Sequence, residues 1–413
     1  MQPPSRREFL RFTGAAMAAG TLGQRRFADA APHVRGANDP MTFTEIKFQD
    51  PATKTYLGSP SIVRLANGDL LATHDYFGPG CPRNHEREEH LSSVYRSSDD
   101  GASWTNVTHI AGAFWSNLLV LRDEVYLLGC SQQYGSLVIR RSEDNGNTWT
   151  HPWDETCGLI SRGGPFHEPP NYHCAPMPVL AHNGRLYRAF EDNVSVQWPQ
   201  GFHSLVISAP EDADLLRAGS WALSNKLALD PSWVPQEWGR LDAPGWLEGN
   251  VVETPDGRLV NILRFNSDPR VDTACMVDVS EDGTRVSFDP TTGFVPFPGG
   301  MTKFSIRRDP QTGLYLTLSN NNTDPTWAAQ RNVLSLHASD DLRTWRHVRT
   351  LLEDDSGLSW EESLRLTGFQ YVDWQLDGDD IIYVVRMACK GAHNYHDANR
   401  VTFHRVQGPR SLL

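Results

Sequence analysis

The sequence has no surplus of positive charge, no C-x-x-C pair, few long stretches of Ala, Leu, Glu and Lys, and, past its first thirty residues, no apolar run long enough to span a membrane. Each absence closes a class. With Lys plus Arg at 38 against Asp plus Glu at 50 and a formal net charge of −12, the chain repels a phosphate backbone on average, so no nucleic-acid partner is expected. The six cysteines, Cys81, Cys130, Cys157, Cys174, Cys275 and Cys389, are too dispersed for a structural zinc site, and their pairing is left open. No metal-ligand spacing is visible, so no metal is assigned and no cofactor is required. What is present is 13 Trp, 33 Gly and 27 Pro among 413 residues. That mixture favours many short strands joined by tight turns, and hence an all-β fold.

The first thirty residues read as an address. Ser5-Arg6-Arg7-Glu8-Phe9-Leu10-Arg11, a mild apolar run from Phe12 to Gly20, and Ala28-Asp29-Ala30 have the layout of a twin-arginine export signal with a small-residue cleavage site. Five Arg against Glu8 and Asp29 make this segment +3, and removing +3 from −12 leaves −15. The expectation is an acidic, soluble, monomeric protein, periplasmic or secreted, with a signal at 1–30, a linker at 31–42 and one propeller domain at 43–408.

Internal repetition decides the architecture. Ser97-Ser98-Asp99-Asp100-Gly101-Ala102-Ser103-Trp104 and Ser142-Glu143-Asp144-Asn145-Gly146-Asn147-Thr148-Trp149 share the pattern S-x-D-x-G-x-x-W. This is an Asp box. Ser and Asp bond the backbone of their own hairpin, Gly supplies positive φ, and Trp anchors the turn. Ser339 to Trp345 is a version one residue shorter, and Ser280-Glu281-Asp282-Gly283 keeps the turn without the Trp. Ahead of the boxes, Asn67-Gly68, Asn183-Gly184, Asp256-Gly257 and Asp377-Gly378 mark hairpins between alternating strands. Six modules open near Ser59, Phe114, His173, Trp246, Gly300 and Gly368. The pitch predicts a β-propeller of four-stranded blades, with Phe43 to Phe48 completing the last. A seventh blade has room in the irregular stretches 152–172 and 209–245.

Strand parity then places side chains. Asp boxes mark one face, and the opposite face collects the starts of first strands and the ends of second strands, where a central funnel binds its ligand. Those positions supply Trp115, His173, Glu248, Asn250, Arg264, Lys303, Gln370 and Arg386 as substrate-binding candidates. Arg binds a carboxylate bidentately and aromatic rings stack on sugars, so an anionic oligo- or polysaccharide is the expected partner. Candidates for chemistry are His74 and His90 as base, and Tyr134 or Tyr371 to assist a leaving oxygen.

The Asp boxes resemble those of the sialidase superfamily. True sialidases carry an R-I-P arginine motif, three carboxylate-binding Arg and a Tyr nucleophile supported by Glu, and no R-I-P occurs after the signal. A second likeness runs through Tyr56-Leu57-Gly58-Ser59-Pro60-Ser61-Ile62-Val63, Thr73-His74-Asp75-Tyr76-Phe77-Gly78 and the closing His396 to Arg405. It resembles the propeller L-rhamnose-α-1,4-D-glucuronate lyases, also described as α-L-rhamnosidases. The resemblance implies seven blades, an essential histidine and, in some members, a structural Ca2+. It implies release of terminal L-rhamnose from D-glucuronate by β-elimination, in which a base takes the C5 proton, the carboxylate is neutralised and the C4 oxygen leaves protonated. Alternatives are hydrolysis of the same bond by two carboxylates among Glu191, Glu248 and Asp397, an exo-sialidase, or a glycan-binding propeller without catalysis.

Overall fold

At Asn183-Gly184 both residues take positive φ, 48° and 73°, the backbone of a two-residue hairpin turn. It joins Leu180–His182 to Arg185–Asn193. Gly68, Gly257 and Gly378 hold positive φ at the other three Asn-Gly or Asp-Gly sites. The computed structural model describes residues 42–413, and these hairpins sit in six antiparallel sheets arranged as propeller blades. The expected signal, and the linker up to residue 41, lie outside the described residues.

From inner to outer edge, blade 1 runs Tyr56–Leu57 with Ser61–Arg64, Leu70–Phe77, Leu91–Ser97, Thr105–Ala111. Blade 2 is Phe114–Leu121, Glu124–Cys130, Leu137–Ser142, Leu159–Ser161. Blade 3 starts with Tyr172–His173 and Leu180–His182, then Arg185–Asn193 and Phe202–Pro210. Blade 4 is built on Gly245–Glu253, Leu259–Asn266 and Thr273–Val279. Blade 5 comprises Ser305–Arg308, Tyr315–Ser319, Val333–Ser339 and Arg346–Glu353. Blade 6 is Gly368–Asp377, Asp380–Ala388 and Arg400–Val406, and its fourth strand is Thr44–Phe48. Pairing of Thr44 with Phe403 and Phe48 with Arg400 closes the ring.

The seven blades implied by the resemblance are therefore corrected to six. Residues 152–172 provide only the outer strand of blade 2, a short turn over Pro165–His167 and, at Tyr172, the start of the innermost strand of blade 3. The stretch 209–245 yields two two-residue outer strands of blade 3, Ala222–Leu223 and Leu227–Ala228, and turns rich in Pro and Trp. Neither contains the pair of long alternating strands a blade needs.

The apolar core lies between blades. Separate buried clusters join blades 1 and 2, 2 and 3, 3 and 4, 4 and 5, 5 and 6, and 6 and 1. Second strands are covered on both faces, which is why Leu70–Phe77 and Leu259–Asn266 are buried at every position. At about 1.5–3 kcal/mol per buried large apolar side chain, these layers are the main source of stability. The Asp boxes brace their edges. Ser97 Oγ accepts from Gly101 N at 2.8 Å, and Asp99 Oδ1 accepts from Ser103 N at 2.8 Å.

Around the axis, one position of each innermost strand ties neighbouring blades together. Asn250 Oδ1 accepts from Ile306 N at 2.8 Å, Ser305 Oγ donates to Val372 O at 2.7 Å, and Asp373 Oδ2 accepts from Ile62 N at 3.0 Å and from Ser61 Oγ at 2.7 Å. Ser61 Oγ in turn accepts from Leu118 N at 2.9 Å. In blade 3 the part is taken instead from the second strand, where the buried Arg188 donates from Nε to Asn117 Oδ1 at 2.9 Å.

Candidate active site

Two residues before this belt, the innermost strands bulge. Register skips between Phe114 and Asn117, Leu247 and Asn250, and Gln370 and Asp373. The bulged residues Trp115, Glu248 and Tyr371 hold φ of 51°, 56° and 54°. Positive φ is costly for side chains of this size and is maintained by the sheet on either side. The same offset gives Ser59 in blade 1 and Lys303 in blade 5.

These positions converge. Glu248, in blade 4, accepts from Tyr371 Oη of blade 6 at 2.7 Å and from Arg264 Nη1 at 2.9 Å. It also feels the charges of His173, from blade 3, and Lys303, from blade 5. One carboxylate met from four blades lies at the axis. Burial pushes Glu248 up, and Arg264, His173 and the Tyr371 hydrogen bond overcome it, leaving the carboxyl below its ordinary value. Burial and the Glu248 charge raise Tyr371, so its hydroxyl keeps the proton.

Guanidiniums surround the pair. Arg264 Nε donates to Met301 O at 2.8 Å, and Trp198 lies 5.7 Å from its guanidinium carbon. Arg331 donates from Nη1 to Gln370 Oε1, its Nε has no hydrogen-bond partner, and burial lowers its pKa. Arg386 stacks on Tyr371 at 4.8 Å and on Phe77 at 4.4 Å, and donates to His396 O at 2.6 Å. All three are buried, 4–5% exposed.

Across the axis the character changes. His173 Nδ1 meets Glu191 Oε2 at 2.9 Å, and Glu191 Oε1 accepts from Gly249 N at 3.0 Å. Trp115 packs edge-on to His173 at 4.3 Å and Tyr134 edge-on to Trp115 at 5.5 Å. Asp75 Oδ2 accepts from Trp115 N at 2.9 Å, and burial lifts this carboxyl to about 7 against the bonds from Ser92, Trp115 and Ser59.

Of the residues expected from sequence, the structure gathers Trp115, Tyr134, His173, Glu248, Arg264, Tyr371 and Arg386 around this centre. Gln370 supports it from below, donating through Nε2 to Tyr395 O while its Oε1 holds Arg331. Lys303 Nζ donates to Ser305 Oγ at 2.7 Å and to Val372 O, which braces the Tyr371 bulge, and burial draws its pKa down to about 7. Asn250 is a correction. It is fully buried, with Oδ1 on Ile306 N and Nδ2 on Val251 O, so it staples blades and has no atom left for substrate.

His74 is another correction. It is fully buried, stacked on Tyr95 at 5.4 Å on the face of blade 1 that packs against blade 6, and burial lowers its pKa to about 4. Asp75, one residue on, takes the axial side. His90 immediately precedes the third strand of blade 1, its carbonyl accepting from Gly112 N at 2.8 Å. His74 thus lies on the second strand facing away from the axis, and His90 lies in the loop that leads into the third. Arg331 was not among the sequence candidates. It precedes Val333–Ser339 within an irregular stretch that strand parity does not reach. Among the described residues no group of three or more His, Cys, Asp or Glu is placed to hold a metal ion, so the Ca2+ implied by the resemblance has no such donor set here.

No protein-family model and no curated protein sequence matches the chain. Solved structures do match in fold. An α-L-arabinanase of Penicillium chrysogenum, complexed with arabinobiose, superposes with a TM-score of 0.56 at 16% identity, covering 91% of this chain and 100% of its own. An α-L-arabinofuranosidase of Fusarium graminearum gives 0.52 at 13% identity over 89% and 98%. The sialidase of Trypanosoma rangeli, in complex with sialic acid, gives 0.53 at 15% identity over 92% and 60%. The chain has the six-bladed propeller fold these proteins share.

Proposed function

We propose that the protein is a carbohydrate-active enzyme that cleaves a terminal sugar bearing a carboxylate, with Tyr371 as nucleophile and Glu248 as its base. The observation that carries this reading is the 2.7 Å bond from Tyr371 Oη to a buried, ionised Glu248 amid Arg264, Arg331 and Arg386. A phenol is a weak nucleophile until a neighbouring base takes its proton. It is also neutral in the resting enzyme, whereas a bare carboxylate nucleophile would repel an acidic sugar at close range. The arginines supply planar, bidentate donors for that sugar's carboxylate. The buried Arg331 Nε, without a partner, is what such an anion would satisfy. The glycosidase names of the fold neighbours agree with a glycan substrate.

The second reading is β-elimination of rhamnosyl-glucuronate, favoured by the end-segment resemblance and by His173, the imidazole at the axis, held by Glu191 at 2.9 Å. The test is a panel of 4-nitrophenyl uronides, sialosides and arabinosides together with gum-arabic side chains. Turnover of acidic and not neutral glycosides, without the absorbance of an unsaturated uronate, is the expected result. Turnover of the arabinoside alone would overturn the carboxylate assignment, and rhamnose release with unsaturated-uronate absorbance would establish the lyase.

A further inference from the structure

We infer that His173, oriented by Glu191, is the proton donor to the leaving oxygen, and that Trp115 and Tyr134 beside it form the subsite for the departing sugar. The inference rests on the Tyr371–Glu248 reading and extends it to the other half of the site. In a six-bladed ring, blades 3 and 6 face each other across the axis. Tyr371 enters from blade 6 and His173 from blade 3, and Glu248 registers both, by a hydrogen bond to one and by the charge of the other. Displacement at an anomeric carbon runs in line, so a nucleophile arriving from blade 6 sends the leaving oxygen toward blade 3.

The dyad has the parts this task requires. Glu191 is fully buried and binds His173 Nδ1 at 2.9 Å, while its second oxygen is fixed by Gly249 N at 3.0 Å. That arrangement sets the ring orientation and reserves Nε2 for another partner. Gly249 follows Glu248 directly, so the same bulge that raises the base also locks the dyad. Rings line this side: Trp115 at 4.3 Å and Phe202 at 4.7 Å from the imidazole, and Tyr134 at 5.5 Å from Trp115. Trp115 and Tyr134 are both partly exposed and both held at positive φ, 51° and 57°. The arginines, by contrast, come from blades 4 to 6. The acidic sugar is thus assigned to the arginine side and a neutral sugar, presenting an apolar ring face, to the aromatic side.

The proton balance closes. Tyr371 Oη attacks the anomeric carbon as its proton passes to Glu248, and the glycosidic C–O bond breaks as His173 Nε2 gives its proton to the departing oxygen. A water then gives a proton back to His173 and its oxygen to the anomeric carbon, releasing Tyr371, which recovers its proton from Glu248.

The experiment compares leaving groups. For whichever acidic sugar the panel identifies, the 4-nitrophenyl glycoside and a galactose-linked disaccharide are assayed with wild type, His173→Asn, Trp115→Ala and Tyr371→Phe. Asn keeps a donor for Glu191, so the variant preserves the dyad's packing. Nitrophenolate leaves unaided and a sugar alkoxide does not. His173→Asn should therefore lose about 10²–10⁴-fold in kcat/KM on the disaccharide but less than about tenfold on the nitrophenyl glycoside. Trp115→Ala should raise the disaccharide KM by roughly tenfold while weakening inhibition by the free acidic sugar far less. Equal losses on both leaving groups, or an unsaturated product, would overturn the inference. Activity retained in Tyr371→Phe would instead refute the nucleophile assignment, and the His173 leaving-group ratio would be read apart from it.

Discussion

Tyr371 and Glu248 stand 123 residues apart in sequence and in different blades, yet Tyr371 Oη donates to Glu248 Oε1 at 2.7 Å. Both ride on bulges at equivalent points of their innermost strands, so the contact is made by the blade repeat itself and not by a loop.

The two partners should respond differently to isosteric change. Tyr371→Phe removes only the hydroxyl and should lower kcat by at least about 10³-fold with little change in melting temperature. Glu248→Gln should lower kcat comparably and also destabilise, because Arg264 loses its buried carboxylate; breaking such a pair costs about 3–5 kcal/mol. Thermal melts beside initial rates check both. A Glu248→Gln variant as stable as wild type would show that Arg264 does not depend on it.

Arg331 offers a test of carboxylate recognition. Arg331→Lys keeps a positive charge and removes the planar fork, so KM for an acidic substrate should rise about 10- to 100-fold with kcat less affected. Inhibition by the free acidic sugar should weaken in parallel. A variant whose KM is unchanged would remove Arg331 from the clamp.

Strand logic made much of this legible and stopped at identifiable points. The hairpins, the Asp boxes and the six modules follow from local chemistry, because Asn-Gly and Ser-x-Asp dictate their own turns. Bulges at Trp115, Glu248 and Tyr371 leave no such mark, since a non-glycine residue holds positive φ there only by tertiary pairing. The cost of missing them shows at His74 and Asp75. Adjacent residues of one strand face opposite ways, so a one-residue difference separates a histidine stacked in the blade core from a carboxyl at the axis. The stapling role of Asn250 leaves no local mark for a related reason: the belt that joins the blades is a relation between strands far apart in sequence.

Asp75 gives a pH signature. Its folded-state pKa is raised to about 7, above the unfolded value near ~3.9. Between those values the folded chain binds the extra proton, so this group makes stability fall as pH rises from about 4 to about 7, by on the order of 1 kcal/mol per pH unit at most. Asp75→Asn should abolish that slope. An Asn oxygen can still accept from Trp115 N, and its amide can donate to Ser92 Oγ, which itself donates to Ala113 O at 2.8 Å. Melting temperatures of both proteins from pH 4 to pH 8 check this. Identical slopes would show that Asp75 titrates alike in the folded and unfolded chains.

Ring closure can be weighed with two glycines of nearly equal backbone. Gly68 and Gly101 have φ of +90° and +89°, so an alanine carries a similar conformational cost at each, about 1 kcal/mol. Their surroundings differ. A Cβ on Gly68 would meet open space, whereas one on Gly101 would stand 2.1 Å from Cε1 of Phe403. Phe403 lies on the blade 6 strand that pairs with Thr44–Phe48, and it also packs on Trp104 of the same Asp box, ring centroids 5.6 Å apart. Relief would require moving the ring against the strand that closes the propeller. Gly101→Ala should therefore cost about 1–3 kcal/mol more than Gly68→Ala, read as the difference between their denaturant midpoints at equal m. Equal midpoints would mean that the Phe403 ring yields freely and that the first Asp box contributes nothing to holding blades 1 and 6 together.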